Sequence, residues 1–386
     1  MQTIAMSWLV YRLTGSAFLL GIVGFSSQFP IFIIGPLAGV LVERHNRHRI
    51  LIFTQSLAML QAFALATLVL TNTVTVWAII ALSILLGLVN SFDMPARQTF
   101  VLEMVERKED LGNAIALNSS LFNGARLIGP SIGGVLIAAV GEGICLLFNG
   151  LSFLAVIFCL MAMRLRPTKI EVKETHMLRE LKEGFSYAFG FAPIRYIILL
   201  LALVSMVGMP YTVLMPVFAG EILQGGAQTL GFLMAASGTG ALIGTIYLAS
   251  RKTALGLGKI VAVAAGIFGT GLILFSLSRV VIFSTALMML TGFGMVLQMA
   301  SSNTILQTIV DDDKRGRVMS LYVMALVGIA PFGSLLAGIL AQNIGAPNTL
   351  MLGGICCIVA SILFFIKFRP SGDTAHGIYD KKRPIQ

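Results

Sequence analysis

The sequence predicts an all-helical polytopic membrane protein made of two six-helix halves. Its composition, its succession of long apolar runs and an internal repeat each point there. Of 386 residues 57% are hydrophobic and only 11% are charged, with a mean hydropathy of +0.91. A soluble domain carries about 25% charged residues, so a water-soluble enzyme is excluded. At about 20 apolar residues per spanning helix, the chain holds ten or more spans and short loops.

The first element is Met1 to Val10, an apolar run half the length of a span, closed by the polar stretch Arg12 to Ser16. It reads as the second half of a truncated first helix. A chain starting there would leave an ammonium group and unpaired amides at mid-membrane, so roughly 20 to 30 further residues are expected upstream. No cleavable signal sequence is legible, for want of a basic front and a small-residue cleavage site. Eleven full spans follow: Ala17 to Val42, Ile50 to Leu70, Val76 to Phe92, Leu117 to Val140, Ile144 to Met163, Tyr196 to Ala219, Leu230 to Ala249, Ile260 to Leu277, Val280 to Ala300, Val318 to Leu340 and Thr349 to Phe368. The expected organisation is an N-terminal bundle over 1–163, a linker over 164–195, a C-terminal bundle over 196–368 and a tail over 369–386. Within the linker Met177, Leu178, Leu181, Phe185 and Phe189 recur at helical spacing, which predicts an amphipathic helix on the membrane surface. Cys145, Cys159, Cys356 and Cys357 all fall in apolar runs, forming neither a disulfide framework nor a metal-ligand set.

The net charge of +10 is topological. Every Lys and Arg except Arg12, Arg126 and Arg279 falls in loops on alternate sides, at 43–49, 94–112, 164–195, 251–259, 303–317 and 367–386. By the positive-inside rule that side, with the long loops and the C-terminus, faces the cytoplasm across an inner (plasma) membrane. Nucleic acid is not an expected partner, because no basic stripe interleaved with stacking aromatics occurs. No cofactor is expected either, and the chain is expected to act as a monomer.

Sliding the second half on the first by 204 positions aligns Gly112 with Gly316, Leu117 with Leu321, Gly129 with Gly333, Gly134 with Gly338 and Leu136 with Leu340. Repeated halves are a mark of carriers that rock around a midplane site. The spacing Gly-x-x-x-Gly recurs at Gly35/Gly39, Gly129/Gly133 and Gly240/Gly244, with Gly333/Ala337 as a relative. Small residues so placed let helices approach closely, so spans two, five, eight and eleven are expected to form the seam between halves.

Between spans two and three stands Gly39-Val-Leu-Val-Glu43-Arg44-His-Asn46-Arg47-His-Arg49. It resembles the cytoplasmic signature of the major facilitator superfamily, with Glu43 for the usual Asp and Asn46 for the usual Gly, Asn tolerating a left-handed turn. Gly129-Pro130-Ser-Ile-Gly133-Gly134 resembles the core of that superfamily's drug–proton antiporter motif, although Ala125 stands where a further Gly is usual. With Trp8-Leu-Val-Tyr11-Arg12-Leu-Thr14-Gly15-Ser16 and Asp93-Met-Pro95-Ala-Arg97-Gln98, the chain resembles the branch of enterobactin exporters and macrolide efflux pumps. The resemblance implies the major facilitator fold and proton-coupled export of a hydrophobic or amphipathic small molecule, siderophore or drug. It also implies gating residues: Glu43, Arg44 and Arg47 as a latch, with Arg97 the expected partner of Glu43, and Gly129, Pro130, Gly133 and Gly134 as a tightly packed seal. The alternatives are a nutrient importer of the same fold or a non-transporting scaffold.

Arg126 is the one cation expected deep in the membrane, where insertion costs about 2.5–3.5 kcal/mol, so it is read as functional. Its role is to bind an anionic or hydroxylated substrate or to respond to proton movement; the structural alternative is an arginine bonded to carbonyls or to Asn123. Asn123, Asn149, Tyr211 and Gln298 are expected to join it at the substrate, with Gln28 and Asn90 as further cavity polar groups. No carboxylate is expected at mid-membrane, so Asp93, at the inner end of span four, is assigned to proton coupling. Gly129-Pro-Ser131-Ile-Gly133 fits a hydrolase nucleophile elbow only formally, because that elbow needs a strand-to-helix turn and a His partner. No Gly-x4-Gly-Lys-Ser/Thr loop is present, which disfavours ATP as the energy source.

Overall fold

The computed structural model describes residues 1–104, 111–163, 185–251 and 256–368, which are helical almost throughout. Helix is what the bilayer imposes, since it pairs every backbone polar group within its own segment. In chain order the helices are α1 (Gln2–Thr14), α2 (Ala17–Arg44), α3 (Arg47–Leu70) and α4 (Val76–Met104). Next, α5 and α6 share Leu111–Ala162 and part at Gly141. The second half holds α7 (Ala192–Ile222), α8 (Ala227–Ala249), α9 (Leu257–Leu277), α10 (Val281–Ile309), α11 (Asp312–Val323 continuing through Ala330–Ile344) and α12 (Ala346–Lys367).

Each expected span is a helix, and most outrun their apolar cores because a formed helix propagates at little cost. α7 begins at Ala192 rather than Tyr196, with Pro193 in the first turn, where a missing N–H costs nothing. Starts are capped as the sequence allows: Ser16 Oγ accepts from Leu19 N at 3.3 Å, and Asn46 Oδ1 accepts from Arg49 N at 3.0 Å. Most of the expected surface helix, over 164–184, lies outside the described residues. Residues 185–190 form a helical turn on which Phe185 and Phe189 stack at 4.5 Å.

Two turns match across the repeat. Gly141 joins α5 to α6 at φ 82°, ψ 169°, and Gly345 joins α11 to α12 at φ 84°, ψ 153°. They stand at the same offset as the aligned glycines. Both occupy a region essentially closed to residues with a Cβ. Gly141→Ala and Gly345→Ala are each expected to destabilise the fold by about 1–3 kcal/mol, read as a lowered melting temperature in detergent.

α7 and α11 carry wide π-type turns at Val204–Gly208, Phe218–Ile222 and Met324–Gly328. Pro210 and Pro331 follow two of them, and a proline ring pushes away the preceding turn while returning no N–H to it. Ser205 Oγ fills that gap, donating to Leu326 O at 2.5 Å and tying α7 to α11.

Packing sorts the helices into two sets. In one, α2 and α3 flank α4, and α1 and α3 lie against the α5–α6 pair; in the other, α10 lies between α8 and α9, and α9 against α12. The sets meet where α5 packs on α8 and α2 on α11. The end of the molecule where α2 meets α3, among Arg44, Arg47 and Arg49, is the basic end below.

Candidate functional site

The contact between the two sets is built on glycine. A Cβ placed on Gly21 of α2 would stand 2.8 Å from the Cα of Gly338 in α11, and one on Gly134 of α5 would stand 2.6 Å from the Cα of Gly231 in α8. Backbone lies on backbone at both points, and both lie toward the end opposite the basic one. Toward the basic end, among the described residues, a Cβ on Gly39, Gly124 or Gly129 would meet nothing within 4 Å, and one on Gly35 would meet only Ile31 of its own helix. Among the described residues the seam is therefore shut at one end and free of such glycine contacts at the other.

Spans two, five, eight and eleven do form this seam, but the Gly-x-x-x-Gly pairs are not its contacts. Gly240 and Gly244 press on α10 at Met289 and Phe293, inside their own half, and Gly133 meets Met1. The seam glycines Gly134 and Gly338 are instead a pair aligned by the repeat. Pro130, within α5, lends its carbonyl to the same contact, lying 3.0 Å from a Cβ on Gly231.

Polar groups collect at the middle of the helices. Gln2 Nε2 donates to Gln61 Oε1 at 2.6 Å and Asn149 Nδ2 donates to Gln2 Oε1 at 2.9 Å, joining α1, α3 and α6. Tyr211 Oη shares a hydrogen bond of 2.8 Å with Ser237 Oγ between α7 and α8. On α10, Gln298, Ser301 and Ser302 are fully buried, and neither end of the Gln298 amide nor either serine hydroxyl has a hydrogen-bond partner. A buried polar group left unpaired costs about 1–3 kcal/mol, so these atoms mark where water, a ligand or a second conformation supplies partners. Asn149, Tyr211 and Gln298 thus stand in three separate polar settings. Gln28 turns back to Gly24 O at 3.3 Å, and Asn90 lies half-buried in α4. The side chains of Asn123 and Arg126 lie outside the described residues; their backbone belongs to α5. Sequence reasoning missed Gln61, Ser301 and Ser302; for the two serines the signal was there, since they stand one helical turn from Gln298, while Gln61 is a lone polar residue among Leu57, Ala58, Ala64 and Leu65.

Asp93 is 5% exposed and holds α4 to α3. Its Oδ1 accepts from Thr54 Oγ1 at 2.9 Å and from Gln55 Nε2 at 2.7 Å, and its Oδ2 pairs with Arg97 at 2.6 Å. Arg97 is thus engaged one turn back on its own helix; its expected pairing with Glu43 falls on a side chain outside the described residues. Asn46 sits at φ −68°, ψ 109°, an N-cap rather than the left-handed turn expected of it. Arg44 is exposed and Arg47 half-buried at the same end. At the other end Glu142, the second buried acid among the described residues, pairs with Arg12 at 2.7 Å, linking α1 to α6.

Among the described residues, twelve helices in two matched sets, shut at one end of their seam and holding unpaired polar groups at mid-depth, define a membrane carrier of the major facilitator type. The chain belongs to the family of transmembrane secretion effectors, which matches residues 1–382. It is a multi-pass, secondary-active transporter of small molecules, and its work is translocation rather than catalysis. It is 27% identical over 366 residues to the staphyloferrin A transporter of Staphylococcus aureus, covering 94% of this chain and 90% of that one. To the multidrug efflux pump Tap of Mycolicibacterium fortuitum it is 25% identical over 357 residues, covering 90% and 87%. In fold it is similar to a bacterial homologue of the human lysosomal transporter Spinster in an inward-facing, unoccupied conformation, with a TM-score of 0.74 at 13% identity over 95% of this chain and 93% of that one.

Proposed function

We propose that the chain exports a hydrophobic or amphipathic small molecule of siderophore or drug type across a bacterial inner membrane, within the siderophore and macrolide efflux branch, driven by proton entry. The single observation that carries this reading is the asymmetric seam, shut by Gly21/Gly338 and Gly134/Gly231 and free of backbone contact at Gly39, Gly124 and Gly129. In a rocking carrier that is the state open at the basic end, which the positive-inside rule sets in the cytoplasm. Substrate enters there and meets Arg126 and Asn123 of α5 together with Asn149, Tyr211 and Gln298. Gln298, Ser301 and Ser302 gain the partners they lack. Asp93 serves as the coupling acid, released from Arg97 when the basic end closes, and the cluster Glu43, Arg44 and Arg47 latches the closed form.

Inverted vesicles test this. A panel of siderophores and macrolides should yield a compound that accumulates inside only while a pH gradient is held. Arg126→Ala is expected to abolish that accumulation at unchanged protein abundance. Gradient-independent accumulation would remove proton coupling, and uptake by right-side-out vesicles would make the chain an importer.

A further inference from the structure

At the basic end a groove of about 670 Å³ opens between α2, α3 and α4. Its lining includes none of the substrate groups Asn149, Tyr211 and Gln298. Its walls are apolar, formed chiefly by Phe53 and Leu57 of α3 and by Leu88 and Phe92 of α4, while Arg49 and His45 stand at its mouth. Phe53 is 65% exposed, so this face is turned to the bilayer rather than to the core. From Arg49 to Leu57 the groove follows α3 for about 12 Å at 1.5 Å per residue, most of the depth of one hydrocarbon leaflet, about 15 Å.

We propose that this groove seats one anionic phospholipid of the leaflet at the basic end, with an acyl chain along α3 and α4 and the headgroup on Arg49. The wall dictates the chain, because a peptide segment there would leave its own backbone groups unpaired against hydrocarbon. The mouth dictates the sign of the headgroup: residues 43–49 carry Arg44, Arg47 and Arg49 against the single acid Glu43, and the positive end of the α3 dipole adds to them. Such a basic cluster beside a membrane surface attracts anionic lipid. The site also touches the acid network. Thr54 lines the groove, and its hydroxyl donates to Asp93 Oδ1 at 2.9 Å, with Leu51 O at 3.1 Å as its alternative acceptor. A seated chain keeps water from that hydroxyl and so steadies the bond between α3 and α4.

The test uses the full chain in phosphatidylcholine nanodiscs, with Phe53→Trp as reporter and Trp77→Phe to remove the exposed tryptophan of α4. Brominated phosphatidylglycerol or brominated phosphatidylcholine is added at the same small mole fraction. Quenching about fivefold stronger by the anionic lipid is expected, the preference that one basic side chain at a charged lipid surface supplies. Arg49→Gln should bring the two lipids to parity and Arg49→Lys should keep the preference, so that a folding defect is told apart from a lost headgroup contact. Equal quenching in the unaltered mouth would mean an ordinary lipid annulus and overturns the proposal. Quenching that fades as protein density in the disc rises would mean that a second copy covers the groove, and overturns it equally.

Discussion

Gly134→Val and Gly338→Val are each expected to stop transport by preventing the seam from shutting at the end opposite the basic cluster. A Cβ at Gly134 would stand 2.6 Å from Gly231 Cα and 2.8 Å from Ala227 O, and one at Gly338 would stand 2.9 Å from Gly21 Cα and 3.1 Å from Ala17 O. These are backbone atoms, which cannot turn aside as a side chain can. The helices must separate instead, and such overpacking costs about 1–3 kcal/mol. Since each 1.4 kcal/mol is a factor of about ten in an equilibrium, the shut-end population falls roughly tenfold to a hundredfold. Leu20 is 3% exposed beside this contact. Leu20→Cys, in a background with the four native cysteines replaced, should therefore label faster with a membrane-impermeant maleimide once either valine is present. Gly124→Ala, whose Cβ meets nothing within 4 Å, is the control expected to leave labelling unchanged. Labelling unaltered by both valines would mean that the seam does not close on these glycines.

Asp93 yields the second large effect, and two substitutions separate its possible roles. Asp93→Ala strips the acceptor from Thr54, Gln55 and Arg97 together. Arg97 is more than half exposed and turns to water, and Thr54 keeps Leu51 O as an acceptor, so the loss comes chiefly from the buried Gln55 amide, about 1–3 kcal/mol. A lowered melting temperature and little folded protein are expected. Asp93→Asn keeps the shape and an oxygen for Thr54 and Gln55 while removing the charge. It should melt near the parent yet lose transport driven by a pH gradient in inverted vesicles. Gradient-driven transport that survives in Asp93→Asn would make this residue a brace between α3 and α4 and would send the search for the coupling acid elsewhere, first to Glu142.

The spans, the basic side and the repeat were legible because each rests on a property summed over many residues: apolar length, loop charge and recurring small side chains. Contacts between particular helices were not. Gly240/Gly244 has the spacing of a close-packing motif and does pack closely, but on α10 of its own half, because spacing tells that a helix face is small and not what faces it. Gly21 and Gly231 belong to no Gly-x-x-x-Gly pair, only to the alanine-containing relatives Ala17/Gly21 and Ala227/Gly231, and escaped notice, although they carry the seam. Arg97 was assigned across a loop to Glu43, whose side chain lies outside the described residues; its pairing with Asp93, four residues behind it on the same helix, was not foreseen. The unpartnered amide of Gln298 was singled out by its polarity alone. Its neighbours Ser301 and Ser302 drew no notice; a serine in a helix can bond back to its own turn, as Ser83 and Ser91 do here, and so carries a weaker signal than an amide.

The twin turns at Gly141 and Gly345 bear on how such a molecule moves. Each fixes the angle at which the sixth helix of a half leaves the fifth, and the fifth helix is the one that meets the opposite half at a glycine. The halves meet crosswise at those two glycine contacts, and Gly134 and Gly338 each stand seven residues before one of these two knuckles of equal make. A stiffened knuckle on either side should therefore slow the whole cycle as much as its twin does.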